Sequence, residues 1–95
     1  MAVVLAVRSK VKDYDVWREH FDSGAGFVEQ QGVTSSRVLR DLDDPSLVTI
    51  HHEFADPSAA RAFMQLMRSD AFREGPVQQG GVIPDTVEVW AGEDV

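Results

Sequence analysis

From Val3 the chain alternates, with Val3, Leu5 and Val7 on one side of an extended segment and Val4, Ala6, Arg8 and Lys10 on the other. A strand over Val3 to Val11 follows. The period then changes: Val16, Trp17, His20, Phe21, Phe27 and Val28 recur at helical spacing behind Asp13, a ready N-cap, with Asp15 in the first turn where a carboxylate suits the helix dipole. This predicts a first helix running to about Gln31. Gly24 and Gly26 are places for it to bend or loosen, and Gly32 is its stop.

"SSRVLRDL" and "LVTIHHEF" read as two strands joined by "DDPS", in which Pro45 presets a turn and the aspartates accept local backbone hydrogen bonds. Asp56 followed by Pro57 signals a second helix, with Ala60, Phe63, Met64 and Met67 as its inward stripe, and Ser69 and Asp70 start a short turn through Phe72. A loop, "EGPVQQGGVIPD", leads to a last strand in "DTVEVWAG", where Val87 and Val89 alternate with Glu88 and Trp90. The order is β-α-β-β-α-β. Its most economical fold is α+β and ferredoxin-like, a four-stranded antiparallel sheet with both helices on one face.

Ninety-five residues make one domain, 1–95, with little surplus stability, so assembly with a second copy is a natural supplement. Nine basic residues against sixteen acidic ones give a net charge of -7 and argue against nucleic acid as a partner. The basic run Arg8, Lys10, Lys12 is followed at once by Asp13 and Asp15 and has no interleaved aromatics. Cysteine is absent, which removes disulfides, thiolate nucleophiles and cysteine metal sites. The apolar start lacks the features of a signal peptide and is too short to span a bilayer, so no membrane association is expected and the cytoplasm is the expected compartment. Asp41, Asp43 and Asp44 lack the glycine and distant glutamate of a calcium loop and read as turn chemistry. The "GAG" and "GG" pairs lack the strand-glycine-helix setting of a phosphate site.

"VKDYDVWREHFD" and "GVTSSRVLRDLDDPSLVTIHHEFADPSAARAF" resemble the dimeric α+β barrel superfamily, above all its small antibiotic-biosynthesis monooxygenase-like and polyketide cyclase-like members. The resemblance runs from about Val3 to Trp90. It implies a homodimer in which the sheet faces of two protomers pack together, and a ligand cleft between each sheet and its own helices. Activities on this fold vary, so the fold alone does not assign one. The haem-degrading members use a histidine on the second helix, and the segment from Pro57 to Gln79 has none. The quinone-forming oxygenases use an asparagine, tryptophan and tyrosine set, whereas this chain has no asparagine and a single tyrosine, Tyr14. Neither haem nor any other cofactor is expected, and no metal is required.

His51 and His52 stand side by side in a strand, so they point to opposite faces and cannot share a metal or a proton. The face with Val48, Ile50, His52 and Phe54 is the more apolar, which puts His52 under the helices and His51, with Thr49 and Glu53, on the other side. Strand pairing is expected to bring Arg37 or Arg40 beside His52. A cleft histidine next to an arginine suits proton transfer on an acidic carbon or a phenol, the arginine stabilising an enolate or phenolate. His20, on the inner stripe of the first helix, is either a boundary residue or a second approach to the same cleft. Trp17, Phe21, Phe63 and Met67 are core residues first and ligand walls only if the core is incompletely filled. Three functions stay open: a cofactor-independent cyclase, isomerase or monooxygenase acting on a hydrophobic, weakly acidic polyketide- or polyphenol-like molecule; a non-catalytic binder of such a molecule; and a dimerisation domain without a pocket.

Overall fold

The computed structural model of the chain describes residues 3–77 and 79–94. Four strands, β1 (Val3–Lys10), β2 (Val33–Arg40), β3 (Leu47–Phe54) and β4 (Glu88–Glu93), pair antiparallel in the order β2-β3-β1-β4. The sheet does not close on itself. Its helices are α1 (Tyr14–Ser23), α2 (Ala25–Gln30), α3 (Pro57–Met67) and the single turn α4 (Asp70–Phe72). This is the ferredoxin-like α+β arrangement that the order of the elements predicts.

Helices α1 and α3 begin where a side chain satisfies free N–H groups. Asp13 Oδ1 accepts from the backbone N–H of Asp15 at 3.0 Å and of Val16 at 3.3 Å, and Asp56 Oδ1 accepts from Ser58 N–H at 2.9 Å. The expected first helix is in fact two: α1 ends at Gly24, which starts α2 without a side-chain cap. Gly32 ends the pair at φ +98°, where a side chain would be strained and a Cβ would stand 3.2 Å from Ala59 Cβ.

Alternation decides the core. Val3, Leu5 and Val7 of β1, with Val48, Ile50, His52 and Phe54 of β3, are buried beneath Trp17, Ala60, Phe63 and Met67 of the helices. The opposite face carries Val4, Ala6, Arg37, Leu39, Thr49, His51 and Trp90 and has no covering layer among the described residues.

Two details of the β2–β3 hairpin depart from the simple reading. The turn holds five residues, 42–46, because Asp41 N–H still donates to Leu47 C=O at 2.9 Å. Asp41 Oδ2 accepts from Asp43 and Asp44 N–H, and Asp44 Oδ1 accepts from both the hydroxyl and the N–H of Ser46, which holds the Asp44 carboxyl below its usual range. At the other end of β2, Val33 faces Phe54 and Ser35 faces Glu53, so Thr34 is an extra, bulged residue, its hydroxyl donating to Glu53 C=O at 3.1 Å.

The stretch between α3 and β4 is more structured than the expected loop. Arg73–Val77 forms a π-helical turn, Pro84–Thr86 a 3-10 turn, and Val11 bridges Val82 beyond the end of β1. Gln78, inside that interval, lies outside the described residues.

Candidate active site between helices and sheet

A cavity of about 460 Å³ lies between the sheet and the helices. Its floor is β1 and β3, through Val7, Ser9, Ile50 and His52. Trp17, His20, Phe21 and Gly24 of the α1 side form one wall, Phe63, Leu66 and Met67 of α3 another, and Phe72, Gln79, Gly80, Val82 and Val87 close the end nearest β4. The core stripe is thus incompletely filled. All four aromatic and methionine residues expected as walls, Trp17, Phe21, Phe63 and Met67, line the cavity.

His52 is the most buried ionisable group of the site, 2 % exposed. Its ring is stacked on Phe21 (centroids 6.2 Å apart, planes at 22°) and tilted against Phe63 at 5.6 Å. Burial among these rings penalises the charged form and lowers its pKa from 6.5 to about 4, so the imidazole is neutral at physiological pH. His52 Nδ1 lies 2.7 Å from Ser36 Oγ. No other hydrogen-bond partner for the ring is found among the described residues, which leaves Nε2 to the cavity.

The expected arginine is not there. Ser36 stands opposite His52, Arg37 stands opposite His51 on the uncovered face, and Arg40 pairs with Val48. The five-residue turn sets this register; a four-residue turn over "DDPS" would have paired Arg37 with His52. Arg40 does lie on the helix side of the sheet, but its guanidinium sits 4.2 Å from the centroid of the Tyr14 ring and its Nε donates to Pro45 C=O. No lysine or arginine lines the cavity among the described residues.

His20 lies at the cavity's rim, exposed, with the backbone of Gly80 against its ring. A Cβ at Gly80 would come within 2.8 Å of His20 Cδ2, so only glycine lets the two segments approach this closely with the ring in place. His51 is half-buried on the uncovered face beside Ala6 and Arg37, and Glu53 of that face accepts a hydrogen bond from Ser35 Oγ.

Two polar residues of the site went unnoticed in the sequence. Ser9 continues the inward alternation of Val3, Leu5 and Val7; it is 4 % exposed and lines the cavity. Extending the pattern by one step would have found it. Ser36 could not be found so simply, because alternation counted from Val33 puts Ser35 and Arg37 inward until the Thr34 bulge is known. A second hollow of about 310 Å³, between Arg8, Lys10, Leu47, Thr86 and Glu88, is lined by no histidine. Among the described residues no group of three metal-ligating side chains comes together, and no helix is long and apolar enough to cross a membrane.

No protein-family profile and no curated sequence matches the chain, so its similarity to known proteins is one of structure. It superposes on an antibiotic biosynthesis monooxygenase-like protein from Bordetella bronchiseptica with a TM-score of 0.73 at 10% identity, covering 99% of this chain and 97% of that one. A single-substitution variant of SnoaB, a cofactor-independent oxygenase from Streptomyces nogalater, gives 0.69 at 18% identity over 98% and 92% of the two chains. An ethyl tert-butyl ether d (EthD) family protein from Bacillus halodurans gives 0.64 at 18% identity over the full length of both. The chain thus shares the ferredoxin-like α+β fold of these antibiotic biosynthesis monooxygenase-like proteins and of the cofactor-independent oxygenase SnoaB.

Proposed function

We propose that the chain takes a flat, mostly apolar small molecule of polyketide or polyphenol type into the cavity and holds its one polar edge at His52. The observation that carries this is a neutral, buried imidazole at an otherwise aromatic and aliphatic wall. With no lysine or arginine among the described lining residues, the cavity favours a ligand that enters uncharged and is at most weakly acidic. The chemistry that fits acts on the molecule's enol, whose oxygen the imidazole hydrogen-bonds: cyclisation, isomerisation or cofactor-independent oxygenation. SnoaB, which shares the fold, is a cofactor-independent oxygenase, and this supports a reaction run by side chains alone. The open volume speaks against a dimerisation domain with a filled core, while a non-catalytic binder would use the same contacts.

The uncovered sheet face supports a homodimer as the working form. Val4, Ala6 and Trp90 lie together there, with Leu39 farther along β2, and Trp90 is 46 % exposed in the single chain.

The test is titration with 2-naphthol, followed by calorimetry and by the fluorescence of Trp17 in the cavity wall. His52→Ala is expected to weaken binding by about tenfold, the worth of one buried hydrogen bond, and His51→Ala to leave it unchanged. Equal affinity of wild type and a folded His52→Ala protein would refute the assignment of the site.

A further inference from the structure

We infer that Ser36 is the positioning residue that sets the tautomer of His52, so that the cavity presents an Nε2–H donor and selects ligands by a carbonyl or enolate oxygen. The inference rests on the functional reading above and sharpens the class of ligand. A neutral imidazole has one donor and one acceptor nitrogen, and which is which follows from the bond that the other nitrogen makes. Here the one hydrogen-bond partner of Nδ1 among the described residues is Ser36 Oγ, at 2.7 Å. That length sits well inside the range of hydroxyl donors and at the short limit of N–H donors, whose bonds to oxygen centre near 2.9–3.0 Å. No carbonyl or carboxylate among the described residues competes for a proton on Nδ1.

The position of Ser36 reinforces this direction. It lies on the edge strand β2 and is exposed to solvent, while His52 is enclosed. By donating inward, the hydroxyl leaves its lone pairs to water, whose protons they can accept at no cost in burial. Nε2 then keeps its hydrogen, and that hydrogen faces a cavity in which the rings packed on His52, Phe21 and Phe63, offer no acceptor oxygen. The unmet need of the site is an acceptor. A ketone, a quinone or the oxygen of an enolate supplies one, and an enolate strengthens the bond as its charge develops.

The experiment combines two measurements on the full chain. Long-range ¹H–¹⁵N correlation spectra near pH 7 report which ring nitrogen of His52 is protonated. Wild type and Ser36→Thr, which keeps the hydroxyl, should show Nε2 protonated and Nδ1 bare, and Ser36→Ala should show a mixture of tautomers. Protonation of Nδ1 in the wild type, or a Ser36→Ala spectrum like wild type, would overturn the inference. In parallel, 2-acetylnaphthalene, which carries an acceptor and no donor, should bind wild type and Ser36→Thr about tenfold more tightly than naphthalene, and lose most of that advantage in Ser36→Ala. Equal binding of the two probes by wild type would also overturn it. If neither these probes nor 2-naphthol binds while Nε2 is protonated, the ligand reading falls and the positioning role of Ser36 is supported.

Discussion

Burying His52 among aromatic rings ties its protonation to folding. The folded chain holds its pKa near 4, below the ordinary 6.5, so as pH falls through 6.5 the unfolded chain gains a proton that the folded chain does not. Stability from this residue is level above about pH 6.5, falls between 6.5 and 4, and levels again below. The full difference is on the order of 3 kcal/mol. Urea unfolding of wild type and His52→Gln between pH 7.5 and 4 should show a smaller loss for the variant across that window; parallel curves would mean that His52 titrates normally in the folded state. At this scale the sequence revealed much: strand parity separates His52 from His51, and helical spacing identifies Trp17, Phe21, Phe63 and Met67 as facing residues. It did not reveal the neighbour of His52, since that depends on how the β2–β3 turn closes.

Elements with a chemical start signal were the most legible. Asp56-Pro57 marks the beginning of α3, and the structure places the cap and the helix there. Replacing Asp56 by alanine removes the acceptor for Ser58 N–H and should cost about 1 kcal/mol, read as a lower urea midpoint with unchanged slope. A change within 0.2 kcal/mol would show that water replaces the cap without loss. Elements governed by a count were less legible. Whether the turn holds four or five residues, and whether Thr34 sits in the ladder or bulges from it, turns on single hydrogen bonds that leave no mark in composition or periodicity. The same applies to the break at Gly24, where glycine permits either a bend or two helices. The π-helical turn at Arg73–Val77 lies in a glycine- and proline-containing interval that carries no periodic signal.

For the whole molecule, the uncovered sheet face decides the expected assembly. Val4 sits on that face near the start of β1, an inner strand, between Glu53 of β3 and Gly92 of β4, whereas Gln65 is exposed on α3, on the other side of the sheet. Sedimentation equilibrium should give a particle of twice the 10.5 kDa chain mass for wild type and Gln65→Asp, and a largely monomeric Val4→Asp. A wild-type mass of 10.5 kDa at micromolar concentration, or equal behaviour of the two variants, would place the interface elsewhere or remove it.

The cavity's lining residues are spread along the chain from Val7 to Val87, in strands, helices and the segment before β4. No single stretch carries the site, so it exists only when most of the fold does, and a molecule occupying it can have little affinity for the unfolded chain. By mass action such a molecule adds to global stability, by about 2.7 kcal/mol at a concentration a hundred times its Kd. Empty, the same space lacks the packing contacts that would otherwise hold helices to sheet. Binding of the proposed ligand would therefore couple the abundance of the folded protein to the supply of that molecule, because the occupied chain would survive longer against unfolding and proteolysis.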